Sequence, residues 1–224
     1  MFDKIYTSLK ILYNIFVKNN YFKQKLSYSM NGEDLQILKF FKNKKNGFYV
    51  DVGSFHPLRL NNTFLLHKKR WSGINIDPSE FSIKLFNYLR PNDCNINCLI
   101  SHKNMKVNFY YKKEHYPLNS TKKKLVKKFV NDELKTKRMN AYTLDKVILG
   151  TSFRNQIIDF LDIDVEGAEL NVLKGLSFKK YRPRLICVEI HQKNLKKNLV
   201  FKFLTRKKYK LIWSKSFSHL FKRV

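Results

Sequence analysis

Acids are scarce in this 224-residue chain: 17 Asp and Glu stand against 45 Lys and Arg, a formal net charge of +28. No apolar run is long enough to span a bilayer, and no small-residue cleavage site marks a secretory leader. Both absences point to a chain kept in the cytoplasm. Cysteine is rare, and the odd count of Cys94, Cys98 and Cys187 suits a reducing compartment. Cys94 and Cys98 are spaced C-x-x-x-C with no second pair and no nearby His, so no zinc site is assigned. All three lie in apolar stretches and read as small core side chains. The phosphate-seating patterns G-x-G-x-x-G and G-x-x-x-x-G-K-[ST] are missing, which argues against dinucleotides and nucleoside triphosphates.

What is present describes a folded domain. A hydrophobic content of 43% with 15% aromatics excludes disorder, and the length suits one domain with a sizeable core. The charge favours anionic partners in general: nucleic acid, anionic membrane or anionic substrate. Yet 36 of the 45 basic residues are Lys, scattered over every expected element. That distribution describes a solvated surface better than one binding stripe.

Residues 1–27 form a separate N-terminal segment. Phe2, Ile5, Tyr6, Leu9, Leu12, Tyr13 and Phe16 recur at helical spacing with Lys4, Lys10 and Lys18 on other faces. Such a helix more often packs on its own domain; peripheral contact of residues 1–25 with an anionic membrane is the alternative. Gly32-Glu33-Asp34 opens a second helix, its acids at the favourable end of the dipole or forming a lid edge. From there strands and helices alternate: strand 48–52, helix 61–69, strand 73–77, helix 80–89, strand 94–100. That order predicts a parallel sheet with right-handed crossovers. An insertion at about 102–156 interrupts it, with an extra strand at 107–111, a very basic helix at 122–137 and a short helix at 143–149. Its His115–Thr121 stretch mixes aromatic and polar groups that suit a sugar, but reads first as a surface turn. A central strand from Ile157, broken at Gly167, then leads into a helix from Ala168. After it come strand 184–190, helix 194–207 and strands 209–214 and 218–224. The expectation is an α/β fold: a seven-stranded, mostly parallel sheet with a C-terminal antiparallel hairpin.

Three core strands end near an acid: Asp51-Val52-Gly53, Asp77-Pro78, and Asp162-Ile163-Asp164-Val165-Glu166. In open α/β sheets the crevice at the strands' carboxyl ends is where ligands bind. Gly53 allows close backbone approach. Asp77, 26 residues after Asp51, stands where an acid binds ribose hydroxyls, and Asp77-Pro78-Ser79-Glu80 also suits a helix start. A ligand with adenosine and no phosphates fits, and S-adenosylmethionine is such a ligand. Asp164 and Glu166, read as sharing a strand face, could bind the cofactor amino group, a divalent ion or an acceptor. Glu189 and His191 end the next strand, His191 reading first as structural; Glu169 reads equally as a first-turn helix acid.

These stretches carry a resemblance. Tyr49–Gly53, Gly73–Pro78, Asp159–Glu169, the upstream Gly32-Glu33-Asp34-Leu35 box and the later Arg182-Pro183 with Val188-Glu189 resemble FkbM-type S-adenosylmethionine-dependent methyltransferases, from about residue 28 to the end. The resemblance implies a Rossmann-like class I methyltransferase fold and methyl transfer to a hydroxyl, often of a sugar or glycan. Carried over, Asp51 and Gly53 line the methionine part of the cofactor, Asp77 the ribose, and Leu99 and Ile100 the adenine. His56-Pro57 replaces the longer glycine-rich turn of many such enzymes. A sugar hydroxyl is a poor nucleophile, so a base is needed; Asp164, Glu166, Glu189 and His191 are the candidates, with Asp164 also near the cofactor. No residue set is assigned to a metal. A nucleic-acid methyltransferase is the alternative suggested by the charge, but the chain lacks an Asp-Pro-Pro-Tyr-like element and aromatic-interleaved basic runs, so no stable nucleic-acid partner is expected. A non-catalytic basic binding module is the third reading.

Overall fold

Nearly continuous apolar strands force burial on both faces, and the computed structural model, which describes residues 2–130, 133–192 and 194–224, sandwiches such strands between helices. The first half runs α1 (Phe2–Leu12), a π-helical turn (Tyr13–Lys18), α2 (Glu33–Phe40), β1 (Phe48–Val52), α3 (Phe64–Lys68), β2 (Ser72–Asp77), α4 (Glu80–Leu89) and β3 (Cys94–Asn97). The insertion holds β4 (Leu99–Ile100), β5 (Met105–Tyr111), α5 (Lys123–Phe129), β6 (Lys135–Tyr142) and α6 (Leu144–Leu149). The remainder is β7 (Phe160–Ile163), α7 (Glu169–Lys174), β8 (Leu185–Glu189), α8 (Leu199–Arg206), β9 (Tyr209–Lys215) and β10 (Ser218–Arg223).

The main sheet has seven strands in the order β3-β2-β1-β7-β8-β10-β9, parallel except where β10 meets β8 and β9. The expected Rossmann-like architecture with its C-terminal hairpin is therefore what the chain adopts. From β1 the sheet grows outward through β2 and β3, then restarts at β7 on the other flank, so the topological switch lies between β1 and β7. On one face Val50, Val52, Ile74, Leu161, Ile163 and Ile186 join the main core with residues of α6, α7 and α8. On the other, Tyr49, Phe160 and Cys187 pack with Ile37 of α2 and Leu66 of α3. Asp159 ties the strands' entry ends together, accepting from the Phe48 amide at 3.0 Å and pairing with Lys44 at 2.8 Å.

Four expected elements change. The strand drawn over 94–100 divides at Cys98. β3 has only β2 to pair with, and Asp77↔Asn97 is the last pair; beyond it the chain turns to pair with β6 in a separate three-stranded sheet, β4-β6-β5. The basic helix over 122–137 becomes α5 and β6, with 131–132 outside the described residues. Strand pairing decides this: β6 lies between two partners and buries Ala141, which outweighs the helix propensity of its lysines. The helix over 194–207 begins as a 3₁₀ turn (Leu195–Lys197), because extended Asn198 caps α8 by accepting from the Val200 and Phe201 amides. At the N-terminus helix ends at Lys18 rather than running through residue 27. Cys98 and Cys187 are buried, Cys94 partly so, and all are free thiols.

The N-terminal segment is joined to the domain on one side only. Ile15 and Tyr28 enter a core cluster with Leu58, Phe64, Phe81 and Leu85, and Asn14 Oδ1 lies 2.7 Å from His56 Nε2. Its opposite side leaves Ile5, Tyr6, Leu9, Tyr13 and Val17 exposed. No helix among the described residues is long and apolar enough to cross a membrane.

Arg90, just past α4, is fully buried and holds the loop after β1. Its guanidinium donates to Thr63 Oγ1 (2.8 Å), Asn61 Oδ1 (2.8 Å), the Pro57 carbonyl (2.7 Å) and the Tyr49 hydroxyl (3.2 Å), and lies over the Phe64 and Phe86 rings. An ammonium cannot serve this planar set of acceptors. Urea unfolding should show Arg90→Ala losing about 3–5 kcal/mol, the scale for breaking a buried charged network, and Arg90→Lys recovering little of it.

Candidate functional site

At the switch point β1 and β7 diverge, and the first turn beyond β1 is shaped by backbone. Gly53 has φ +85, and a Cβ built there would lie 1.7 Å from the Asp164 carbonyl oxygen, so only glycine lets the two chains meet. The Gly53 and Ser54 amides both donate to the Ile76 carbonyl, at 2.9 and 3.2 Å. Phe55, also left-handed at φ 50, gives its amide to Asp77 Oδ2 at 2.9 Å, while Asp77 Oδ1 accepts from Ser79 N at 2.8 Å. Asp77 thus closes the β1 loop and starts α4 together.

Above this floor opens a cavity of about 370 Å³, within the usual range for small-molecule sites. Of the expected residues, Gly53, Asp77, Leu99, Ile100, Asp164, Glu166 and His191 line it, and so does Glu189. Leu99 and Ile100 arrive on β4 of the small sheet rather than on the third core strand. Asp51 is not among the lining residues. Its carboxylate is buried behind the wall, accepting from Thr63 Oγ1 at 2.9 Å and Asn61 Nδ2 at 3.5 Å. β7 ends at Ile163, so Asp164 and Glu166 reach the cavity from a turn and not by strand alternation. Glu166 is left-handed at φ 52, followed by Gly167 at φ 91.

Burial raises Asp51 and Asp77 to about 6 each. Asp164 opens onto the cavity. The surrounding protein still strips much of its water, and Glu189, Glu166 and Asp162 repel its charge, so its pKa lies well above the carboxylate range. Glu166 is raised by burial, which His191 partly offsets. Burial alone would raise Glu33, but hydrogen bonds from Ser218 and Asn31 outweigh it and lower that acid. His191 Nε2 stands 2.9 Å from Glu189 Oε2 and 3.6 Å from Glu166 Oε2. With no ligand bound, Glu166 and Glu189 together hold the imidazole at about 10, charged at neutral pH. His56 is the opposite case: burial first, then the nearby His115, lower it to about 3. Its Nδ1 accepts from the Leu58 and Arg59 amides, at 3.0 and 3.1 Å. His56 thus fastens the turn after β1 by its side chain, without lining the cavity itself.

The insertion forms a wall. Tyr116 to Thr121, read from sequence as a surface turn, lines the cavity. Ser120 Oγ donates to the Glu166 carbonyl at 2.6 Å, and the His115 ring stacks on Phe55 at 4.5 Å. The polar-aromatic mixture was the available signal. Glu33 and Asp34 stand in the first turn of α2; Glu33 also lines the cavity, whereas Asp34 is taken up by Ser27, Tyr28 and Ser29. Asn62, Phe217 and Ser218 line it without any sequence signal, because loop and hairpin-turn positions have no periodicity. The lining is lopsided in charge. It includes Glu33, Asp77, Glu114, Asp164, Glu166 and Glu189, but no Lys or Arg among the described residues, although the chain has 45.

Comparison with protein families gives one match, the methyltransferase FkbM domain, over residues 51–211 and so well over half of the chain. No curated protein and no solved structure matches.

Glu169 is buried with Oε1 accepting from the Gly167 amide at 2.6 Å, and burial raises it from 4.5 to about 7. An acid raised on folding contributes stability that is complete below its unfolded pKa and lost as pH climbs through the folded one. Between pH 5 and 8 the wild type should lose stability relative to Glu169→Gln, which keeps the acceptor but cannot ionise. The difference, about 2–3 kcal/mol, is read by denaturant melts at each pH.

Proposed function

We propose, for a chain that belongs to the FkbM methyltransferase family, that this methyltransferase uses S-adenosylmethionine to methylate a hydroxyl oxygen of a sugar or glycan. The observation that carries the reading is the charge of the cavity: six of the chain's 17 acids line it. Such a site favours a cation and disfavours phosphates. S-adenosylmethionine has a sulfonium, an ammonium and no phosphate.

The residues present fit that group. Each Asp77 oxygen accepts one backbone N–H and keeps a lone pair for a ribose hydroxyl. Leu99 and Ile100 offer an apolar wall to adenine, and Asp164 and Gly53 face the methionine end. Buried Asp51 acts at one remove, through Thr63 and Asn61, as a positioning residue. When bound, S-adenosylmethionine supplies a methyl group activated by positive sulfur. The chain's contribution is chiefly alignment, which can lower a barrier by roughly 7–11 kcal/mol. Asp164 or Glu166 takes the hydroxyl proton, burial raising both above the ordinary carboxylate range and so making each a stronger base than a free carboxylate. His191, as an imidazolium, donates rather than accepts and steadies Glu166 and Glu189. Tyr116, Asn119 and Thr121 offer an aromatic face with amide and hydroxyl groups, a combination suited to sugar rings and their edges. The acidic lining weighs against a nucleic-acid acceptor.

In this reading the enzyme works in the cytoplasm, at the inner membrane face. Exposed Ile5, Tyr6, Leu9, Tyr13 and Val17, with Lys4 and Lys18 beside them, make a surface for anionic lipid. Tyr6→Asp combined with Leu9→Asp should abolish sedimentation with phosphatidylglycerol vesicles without lowering the melting temperature; equal sedimentation removes the membrane contact.

Calorimetry should show Asp77→Ala binding S-adenosylmethionine at least about tenfold more weakly, on the order of 1.4 kcal/mol. Transfer of labelled methyl to a panel of monosaccharide glycosides should fall about 10²-fold in Asp164→Asn or Glu166→Gln. Undiminished affinity in the first, or full transfer in both others, refutes the assignment.

A further inference from the structure

Glu166 comes from the turn after β7, and Glu189 and His191 from the end of β8 and just beyond it, yet each presents a donor atom within 4.8 Å of the others. We infer that these three side chains form a binding site for one divalent cation, opening onto the cavity.

An ion-paired histidine is the simpler explanation, and it leaves too much unexplained. A ring N–H at Nε2 has one hydrogen to give, and it faces two carboxylate oxygens. Glu166 Oε2 and Glu189 Oε2 are both sealed from solvent, and beyond the ion pair that both share with the single His191 Nε2 neither oxygen has a well-aligned hydrogen-bond donor. Glu166 is only 7% exposed. A buried, unpartnered carboxylate oxygen is costly unless something else coordinates it. The backbone points the same way. Glu166 is held left-handed at φ 52, a strained state for a residue with a side chain, and Ser120 Oγ fixes its carbonyl at 2.6 Å. With the backbone so held, the carboxylate stands beside Glu189 and His191.

The spacing suits a metal. Donors about 2.0–2.2 Å from a cation stand roughly 3–4 Å from one another, close to the 2.9 and 3.6 Å found here. One imidazole nitrogen with two carboxylates is a borderline donor set, suited to Mn²⁺, Fe²⁺, Co²⁺ or Zn²⁺ more than to Mg²⁺ or Ca²⁺. Three protein ligands leave coordination positions open to the cavity. If the methyl-transfer reading above holds, an acceptor hydroxyl bound there would lose its proton more readily.

The test uses the full chain, freed of metal by chelation and titrated with Mn²⁺ while the signal of free Mn²⁺ is followed by electron paramagnetic resonance. One site is expected, weakened at least tenfold in Glu189→Gln and in His191→Ala, the latter at a half-exposed position where folding should survive. Unchanged melting temperatures in both variants separate lost ligands from lost structure. Absence of binding at millimolar Mn²⁺, or equal binding in both variants, overturns the site. Calorimetry with S-adenosylmethionine in chelator keeps the two readings apart. Cofactor binding without Mn²⁺ binding removes the metal alone, whereas Mn²⁺ binding without cofactor binding leaves the metal site standing and removes the cofactor.

Discussion

Segregation of charge is the constraint on which the rest depends. A chain with net charge +28 keeps every described Lys and Arg out of the lining of one cavity and collects six acids around it. Acids in a low-dielectric site lose hydration and repel one another, and the raised pKa values of Asp164 and Glu166 record the lost water first and the repulsion second. The protein tolerates the arrangement because acids are held by well-formed elements: Asp77 by two backbone amides and Glu33 by Asn31. A bound cation relieves the repulsion, so ligand binding and stability are linked.

Position within the cavity is enforced by three separate locks. Gly53 lets β1 and the Asp164 backbone touch. His56, kept neutral, fastens the following loop and connects it to Asn14 and Asn19 of the N-terminal segment. Ser120 then anchors the insertion to the carbonyl of Glu166. The N-terminal helix and the insertion are thus both joined to the cavity floor, through His56 and through Glu166, and changes in either can reach the site through one or two hydrogen bonds.

Much of this was legible in the sequence, for identifiable reasons. The core strands 48–52 and 73–77 and the helix 80–89 were found because apolar runs and the Asp77–Glu80 start signal are local. Asp77, Asp164 and Glu166 were legible because acids near the carboxyl ends of apolar strands are rare in so basic a chain. The side to which Asp51 turns was not, since it depends on Thr63, Asn61 and Arg90 packing behind the strand. Nor was β6: its lysines favour helix, and only pairing with β4 and β5 makes it a strand. Cavity residues Asn62, Phe217 and Ser218 come from turns whose placement depends on long-range packing, and no local pattern encodes that.

A single comparison bears most directly on the acid-lined cavity. The apo protein is titrated calorimetrically with S-adenosylmethionine and with adenosine monophosphate at one pH and one ionic strength. Both ligands carry adenosine, but one presents positive groups where the other presents a phosphate. Affinity at least tenfold higher for the sulfonium, narrowing as salt is added, is the result expected of six inward-facing carboxylates. Equal affinity, or preference for the phosphate, would mean that the cavity's charge does not select its ligand.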